Sequence, residues 1–570
     1  MKKLLSFLFF FFNIINLTAQ TPYYKSANHP VEERVNDLLK RMTLTEKLGQ
    51  LTMPALYNDS TFLSIQEDVI KGTVSTICVV RTFDFTIAKR NKIQELAIKN
   101  SRLGIPILFA FDVIHGYKTI FPIPLGLSAS WDPHLAFLTA RAAAREASVS
   151  GVDLTFSPMV DVARDARWGR ISEGSGEDVL LNCRFAKAMV EGYQGKDLTD
   201  KYSIGACLKH FVGYGASTGG RDYQFTELSE RALRETYLPP FQAGVKAGAV
   251  SIMSAFNDIS GVPAVANAFT LDQVLRKEWG FTGFVVSDWA AVDELKEHGI
   301  AGTNVEAASA ALTAGTDVEM NSNCYVDLAK EVNEKHFSEK IIDEAVRRVL
   351  RTKFRLGLFE HPYTEEGNEI NEILNTNNRA LARKAAAESM VLLKNDGVLP
   401  IKENSGEITV LGEWANNPDL MGWWTGMGDR KDVITIIEGL KQNQPKGVKI
   451  IHTANPQSLN NNTVIVCVGE SGNMFGEDHS RSELELPWGQ AEQIRQLKES
   501  GKKVIAVIFN GRPLVLTEVA KYADAILLAW HPGTEAGNAV ADVLYGKLKV
   551  GSSGSNTKKP FPLVPMKTLP

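Results

Sequence analysis

Cysteine is scarce in this sequence of 570 residues. The five cysteines are Cys78, Cys183, Cys207, Cys324 and Cys467, and no two of them form a Cys-x-x-Cys pair. This spacing argues against a zinc site and against a framework of disulfides. We expect buried thiols, although a single disulfide stays open for a chain that reaches an oxidising compartment.

A surplus of charge of either sign is also missing. The chain has 62 basic and 66 acidic residues and a formal net charge of -4. Proteins that bind nucleic acid or anionic membranes usually carry a basic excess. We therefore expect no nucleic-acid partner and no attachment to an anionic membrane surface.

Long apolar runs are confined to the N-terminus. Residues 1–3 are Met-Lys-Lys, Leu4–Leu17 is almost wholly apolar, and Leu17-Thr18-Ala19-Gln20 offers small residues for cleavage. This pattern predicts a secretory signal at residues 1–20, a periplasmic or secreted location and no membrane span after cleavage. The alternative is a membrane anchor, but the apolar run is shorter than the ~20 residues that a spanning helix needs.

Short apolar runs alternate with helix-like segments through the first half of the chain. The candidate strands are Leu48–Pro54, Val74–Val80, Ile105–Asp112, Leu154–Val160, Ile204–His210, Val250–Asn257, Gly283–Asp288 and Gly315–Met320. Several of them are almost continuously apolar, as strands buried on both faces are. Eight alternations predict a TIM-type (β/α)8 barrel over residues 25–355.

A second α/β region follows a polar stretch that is rich in Asn, Glu and Gly. We predict a linker at residues 356–385 and a smaller α/β sandwich domain with a mostly parallel sheet at residues 386–550. Its candidate strands are Ile408–Leu411, Val448–Ile451, Thr463–Gly469, Val504–Phe509 and Ala525–Trp530. The tail at residues 551–570 is rich in Gly, Ser and Pro, and we expect it to be disordered.

Polar residues collect where the predicted barrel strands end. Asp112, Asp161, the pair Lys209-His210 and Asp288 each follow an apolar run. Taken singly, such residues are more often helix caps, turn residues or structural ion pairs. Because the carboxyl ends of barrel strands meet at one mouth, the set together predicts a site for a ligand with many hydroxyl groups and carboxylate chemistry.

Four segments that carry these residues resemble glycoside hydrolase family 3. They are Phe111-Asp112-Val113-Ile114-His115-Gly116, Arg167-Trp168-Gly169-Arg170, Lys209-His210-Phe211-Val212-Gly213-Tyr214-Gly215 and Val285-Val286-Ser287-Asp288-Trp289. The resemblance covers roughly residues 25–547 and is greatest to periplasmic bacterial β-glucosidases. It implies a barrel and an α/β sandwich with the active site between them, and it implies neither metal nor cofactor.

The resemblance also implies a role for each matching residue. Asp288 corresponds to the catalytic nucleophile. The residues that hold the hydroxyls of the terminal sugar correspond to Asp112, Arg170, Lys209 and His210, and the walls of that subsite to Met253 and Trp289. Glu173 is implied as a partner of the basic residues. Trp423 or Trp424 would stack on the sugar or pack the domain interface.

The general acid should come from the second domain. The segment Glu470–Arg481 follows a predicted strand and is similar to the family loop in which a Glu precedes a Ser-Arg pair. We choose Glu477, with Glu470 at the strand end as the main rival and Glu483 as a weaker one. A charged, solvated loop without a catalytic role is the plain alternative.

The implied activity is that of a retaining, exo-acting β-glucosidase on β-linked oligosaccharides or aryl and alkyl glycosides. A β-xylosidase, an exo-glucanase and a truncated, catalytically impaired sugar-binding homologue stay open. Another branch of the family removes N-acetylglucosamine with a His–Asp dyad, but Tyr214 stands where that branch has its second His. Beyond Gly546 the sequence departs from the family pattern, which puts the stability of the second domain in doubt.

Overall fold

A computed structural model of the protein describes residues 22–453 and 462–548. The predicted signal at residues 1–20 and the predicted disordered tail at residues 551–570 lie outside the described residues. Within the described part of the chain, no helix combines the length and the apolar character needed to cross a bilayer. The five cysteines are free thiols, and all except the half-buried Cys183 are buried.

The first domain is a barrel of parallel strands. The strands are β1 (Thr52–Met53), β2 (Ala55–Leu56), β3 (Thr76–Val79), β4 (Leu108–Phe111), β5 (Leu154–Thr155), β6 (Gly205–Phe211), β7 (Ser251–Ser254), β8 (Asp258–Ile259), β9 (Val262–Pro263), β10 (Phe284–Val286) and β11 (Glu319–Met320). Pairing runs in chain order from β2 to β7 and on to β10, and β11 pairs with β1. A bridge between Val286 and Val318 joins β10 to the β11 strand. Since Pro54 alone separates β1 from β2, this pairing closes the ring; β8 and β9 form a separate hairpin.

Helices connect the barrel strands on the outside. They are α1 (Val31–Leu39), α2 (Leu44–Gln50), α3 (Asp59–Lys71), α4 (Ile87–Glu95), α5 (Pro124–Ser128), α6 (Pro133–Val149), α7 (Val179–Gln194), α8 (Glu230–Ala232), α9 (Leu238–Lys246), α10 (Asn304–Ala314), α11 (Leu328–Asn333) and α12 (Glu339–Arg355). Wider π turns lie at Leu96–Asn100, Leu233–Tyr237 and Phe269–Glu278, and a 3-10 turn lies at Gly169–Glu173. The predicted TIM-type barrel is therefore confirmed.

The first predicted strand, Leu48–Pro54, was placed too early. Helix α2 occupies the chain as far as Gln50, and β1 begins only at Thr52. The reason is a capping box, in which the Thr43 hydroxyl accepts from the amide of Glu46 and the Glu46 side chain accepts from the amide of Thr43. These reciprocal bonds satisfy the first amides of a helix and outweigh the strand-like run of apolar residues that follows.

Among the residues that the structure describes, the second domain contains a mixed sheet of six strands. Its elements are α13 (Glu369–Glu372), α14 (Thr376–Ser389), β12 (Val391–Asn395), β13 (Gly406–Leu411), α15 (Ile436–Asn443), β14 (Val448–His452), β15 (Thr463–Gly469), α16 (Gln490–Glu499), β16 (Lys503–Phe509), α17 (Thr517–Tyr522), β17 (Ala525–Leu528) and α18 (Ala536–Leu544). The strand order is β12-β17-β16-β15-β13-β14. The prediction missed β12, an antiparallel edge strand whose side chains are mostly not buried.

The predicted linker at residues 356–385 is partly helical. Asn375 caps α14 by accepting from the amide of Asn378, and the helix then runs from Thr376 to Ser389. The buried face of α14 consists mainly of alanines, a pattern that the polar composition of the stretch before it had hidden. This part of the connection is a packed element of the fold rather than a spacer.

A buried carboxylate attaches this connection to the barrel. Glu146 of α6 is completely buried and accepts hydrogen bonds from the amides of Lys118 and Thr119, at 2.9 and 2.8 Å. It also accepts from the amide of Leu374 at 3.0 Å and from the side chain of Asn378 at 2.8 Å. One side chain therefore joins the loop after β4, helix α6 and the start of α14.

Replacing this carboxylate should destabilise the connection between the domains. In Glu146→Ala several buried amides lose their acceptor, and each unsatisfied buried group costs roughly 1–3 kcal/mol. We expect the free energy of unfolding to fall by at least about 3 kcal/mol, as measured by urea denaturation. Glu191→Ala removes a half-exposed carboxylate of α7 and should change that value by less than about 0.5 kcal/mol. Equal losses in the two variants would contradict this account.

Candidate active site

A cleft of about 1350 Å³ opens at the carboxyl ends of the barrel strands, between the two domains. Barrel and second domain both contribute to its walls. Seven of the eight residues predicted for the site line it: Asp112, Arg170, Lys209, Met253, Asp288, Trp289 and Glu477. The eighth, His210, is completely buried and lies behind this wall. The sequence positions thus converge on one place although they span more than half of the chain.

Asp288 lies two residues beyond the end of β10 and is almost fully buried. Its Oδ1 accepts a hydrogen bond of 2.7 Å from the amide of Trp289, whereas Oδ2 is buried without a hydrogen-bond donor in the described structure. Burial raises the pKa of the Asp288 carboxyl; the Arg170 charge opposes this rise and the Glu477 charge adds to it. Asp288 lines the cleft, so this unpartnered oxygen belongs to its wall.

The guanidinium of Arg170 links carboxylates from both domains. Its Nε and Nη2 donate to Glu173 at 2.8 and 3.1 Å, and its Nη1 donates to Glu477 Oε1 at 3.2 Å. Nη2 also lies 2.8 Å from Nε2 of His210. Arg170 is buried in the barrel, so the ion pair with Glu477 fixes the second domain relative to the barrel wall.

His210 is held in one tautomer by its neighbours. Its Nε2 faces an Arg170 donor, so that nitrogen accepts, and Nδ1 donates to Asp161 Oδ2 at 2.9 Å. Burial, Arg170 and Lys209 all lower the pKa of the His210 imidazole well below its usual range. The neutral ring lies 3.6 Å from Asp288 Oδ2 through Nε2. Because Nε2 carries no proton, His210 holds the Arg170 guanidinium from behind and makes no hydrogen bond to Asp288.

Asp112 and Lys209 form a buried ion pair on the floor of the cleft. Lys209 Nζ donates to Asp112 Oδ2 at 2.7 Å and lies 3.9 Å from Glu173 Oε2. Burial alone would lower the pKa of Lys209, but Asp112 and Glu173 hold it above its usual value. Oδ1 of Asp112 is buried without a partner among the described groups. Since Asp112 lines the cleft, this oxygen is an unused acceptor in its wall.

Aromatic and apolar side chains complete the walls. Trp289 packs edge-on against Tyr57, with ring centroids 5.7 Å apart, and Met253 projects from β7. From the second domain, Trp423 and Trp424 line the cleft, and Lys209 Nζ lies 5.7 Å from the centre of the Trp424 ring. The indole N–H groups of both tryptophans have no acceptor in the described structure. Both of the roles predicted for these tryptophans, ligand contact and interface packing, are compatible with this position.

The three candidate acids have different surroundings. Glu477 lines the cleft, while Glu470 and Glu483 do not. Glu470 is completely buried at the end of β15, where its carboxylate accepts from Arg481 at 2.6 Å and from the amide of Gly511 at 3.0 Å, 3.1 Å from Arg512. It is a structural anchor for the loop that carries Glu477. Only Glu477 of these three is placed to meet a ligand.

Comparison with known proteins agrees with this architecture. Residues 43–352 match the glycosyl hydrolase family 3 N terminal domain, and residues 390–554 match the family 3 C-terminal domain. The chain belongs to glycosyl hydrolase family 3. It is thus a glycoside hydrolase, and the domain pair seen here is that of the family.

Several family 3 relatives show what the chain is similar to. A periplasmic β-glucosidase of Salmonella typhimurium is 38% identical over 91% of this chain and 74% of its own length. A β-xylosidase of Formosa agariphila is 34% identical over 87% of this chain and 74% of its own length. Among solved structures, a mutant β-glucosidase of Listeria innocua in complex with laminaribiose is 38% identical, with a TM-score of 0.85 over 90% of this chain and 75% of that one.

The family 3 chain also has two residues at the site to which the prediction gave no role: Asp161, which it counted among the polar strand ends, and Tyr223, which it did not mention as a site residue. Asp161 accepts from the amide and Nδ1 of His210, both at 2.9 Å, and burial raises the pKa of its carboxyl to about 7. Tyr223 lines the cleft and donates to Glu477 Oε1 at 3.1 Å. Asp161 was visible as a polar residue near a strand end. Tyr223 lies in an irregular loop, twelve residues after the end of β6, and no hydrophobic periodicity distinguishes it in the sequence.

Proposed function

We propose that this glycoside hydrolase is a retaining, exo-acting β-glucosidase that removes terminal, non-reducing β-D-glucosyl residues. One observation carries the proposal: a carboxylate from the barrel, Asp288, and a carboxylate from the second domain, Glu477, line the same cleft. Retaining glycosidases need such a pair, one group to attack the anomeric carbon and one to transfer a proton.

In the first step, Oδ2 of Asp288 attacks the anomeric carbon. This oxygen suits the role because no described N–H or O–H group occupies it, whereas Oδ1 is bound to the amide of Trp289. The bond from carbon to the leaving oxygen breaks as the new bond to Oδ2 forms. Glu477 gives its proton to the leaving oxygen, and the sugar remains covalently attached to the enzyme.

In the second step, water replaces Asp288. Glu477, now ionised, removes a proton from the water. The water oxygen bonds to the anomeric carbon as the bond from that carbon to Asp288 breaks. Two displacements restore the original β configuration. Oε1 of Glu477 is held by Arg170 and Tyr223, so Oε2, which has no partner among the described residues, is the oxygen that carries the proton.

The remaining residues of the cleft hold the sugar in this scheme. Asp112 accepts from hydroxyls through its unpartnered Oδ1, while Lys209 and Arg170 donate to hydroxyl oxygens. His210 acts through Arg170 rather than by direct contact, since the ring is completely buried. Met253 and Trp289 form apolar walls. Buried hydrogen bonds of this kind discriminate strongly against sugars that lack a hydroxyl.

We also propose that the chain is exported and that its domains follow the predicted division at residues 25–355 and 386–550, with part of the linker forming α14. The basic and apolar N-terminus supports export, as does the similarity to the periplasmic β-glucosidase of Salmonella. The two family matches, at residues 43–352 and 390–554, support the division.

A panel of aryl glycosides tests the substrate class. We expect the purified protein to release nitrophenol from the β-glucoside faster than from the β-xyloside, and not from the α-glucoside. The reason is that the Salmonella relative and the solved Listeria structure, each 38% identical in sequence to this chain, are β-glucosidases. The 34% identical β-xylosidase makes the xyloside the principal competitor. A higher kcat/KM on the xyloside would replace the proposed substrate.

Asp288→Asn tests the nucleophile. Loss of the attacking charge should lower kcat/KM by at least about 10⁴-fold, since both displacements pass through this carboxylate. Mass spectrometry of the wild type treated with a 2-fluoroglucoside that has a good leaving group should locate the trapped sugar on Asp288. Asp419→Asn, which changes another carboxylate of the cleft, is the matched control and should retain most of the activity. A label on any other side chain would refute the assignment.

Glu477→Ala tests the proton donor. Glycosides with activated leaving groups need little protonation, so their kcat/KM should fall far less than that of a β-disaccharide, which should fall by about 10²–10⁴-fold. Azide should accelerate the variant and yield a β-glucosyl azide, because a small anion can enter the space of the lost carboxylate. Glu483→Ala is the control. The same pattern in Glu483→Ala, or its absence in Glu477→Ala, would move the acid to another residue.

A further inference from the structure

We propose that Asp222 is the positioning residue of the proton donor: it holds the loop of the second domain so that Glu477 faces Asp288. The inference rests on the proposed role of Glu477 and extends it to a residue of the opposite domain. Asp222 belongs to the barrel, in the segment between β6 and α8, and does not line the cleft. It therefore has no direct access to the sugar.

Three hydrogen bonds define what Asp222 does. Its Oδ1 accepts from the indole Nε1 of Trp168 at 2.9 Å, and Trp168 is completely buried in the barrel. Its Oδ2 accepts from the amide of Asp478 at 2.8 Å, and its own amide donates to Ser480 Oγ at 3.0 Å. One side of the carboxylate is thus anchored in the barrel, and the other grips the residue directly after Glu477.

The residue directly before Glu477 is also held by the barrel. The amide of Gly476 donates to the carbonyl of Gly169 at 2.9 Å. The two backbone segments approach so closely that a Cβ atom on Gly169 would lie 2.1 Å from the carbonyl oxygen of Gly476. Glu477 is therefore fixed between two neighbours, Gly476 and Asp478, that both bind barrel groups.

The conformation of the loop requires such a hold. Asp478 has a φ of 60°, in the left-handed region that residues other than glycine rarely adopt without support. The second domain secures the loop at other points: Arg512 donates to the carbonyls of Met474 and His479 at 2.6 and 2.7 Å. The contact at Asp478 itself is made by Asp222.

Asp222 thus acts on the direction of one carboxylate, and that action has a kinetic signature. A misplacement of about 1 Å in a reacting group can cost about 10²-fold in rate. A misplaced proton donor slows only those substrates whose leaving group needs the proton. General destabilisation of the fold, or loss of a sugar contact, slows all substrates alike.

The experiment measures kcat/KM for a series of aryl β-glucosides and a β-disaccharide in wild type, Asp222→Ala, Glu477→Ala and the double variant. For Asp222→Ala we expect a loss of about 10–100-fold on the disaccharide and less than about threefold on the dinitrophenyl glucoside. In the double variant, Asp222→Ala should add no further loss to Glu477→Ala, because one acts through the other.

Two further variants keep the test decisive. Asp178→Ala removes the carboxylate that caps α7 by accepting from the amide of Leu181, a bond within the barrel, and should affect all substrates equally. If Asp222→Ala does not fold, Ser480→Ala removes one bond of the same contact from the other domain, and a smaller loss with the same dependence on leaving group is expected.

Two results would overturn the inference. One is an equal loss by Asp222→Ala on every substrate, and the other is a multiplicative loss in the double variant. A third result, Glu477→Ala without any dependence on the leaving group, would remove the role of Glu477 and the inference with it. That result is distinguishable because it appears in the single Glu477 variant, whatever Asp222→Ala does.

Discussion

The site depends on one buried guanidinium. Arg170 lies inside the barrel, bonds to Glu173 and His210 there, and reaches across to Glu477 of the second domain. A cation in this place favours ionised carboxylates around it, yet burial of Asp288 works in the opposite direction. Docking adds the Glu477 carboxylate to the partners of this guanidinium. The same side chain therefore connects the two domains and acts on the charge of Asp288.

Docking itself is built largely from backbone groups. Arg512 of the second domain donates to the carbonyls of Ala166 and Arg167 in the barrel, at 3.2 and 2.9 Å. In the other direction, His115 of the barrel lies 2.7 Å from the carbonyl oxygen of Trp423. A backbone carbonyl has no side-chain rotamers, so a bond to it fixes the position of the domains more firmly than a bond between two flexible side chains would. The loop of Glu477 lies within this frame.

Much of the barrel and most of the cleft could be predicted from the sequence. Strands buried on both faces leave long apolar runs, and polar residues directly after them, such as Asp112 and Asp288, reach the mouth because parallel strands end together. The start of β1 could not be predicted in this way, since the capping box at Thr43 outweighs an apolar run. The roles of Tyr223 and Asp222 could not be predicted, because an irregular loop has no hydrophobic periodicity. These roles depend on contacts with residues more than 250 positions away in the sequence.

The place of Glu477 in the second sheet has a separate consequence. Its loop follows β15, which lies beside β13, the two strands at which the order of the sheet reverses. Doubly wound folds open a crevice at such a reversal, and here the barrel mouth closes over it. Under the proposed mechanism, the barrel supplies the nucleophile and the second domain supplies the proton donor. Because Arg170 and Asp222 of the barrel hold the loop of Glu477, a change in either domain would alter both functions together.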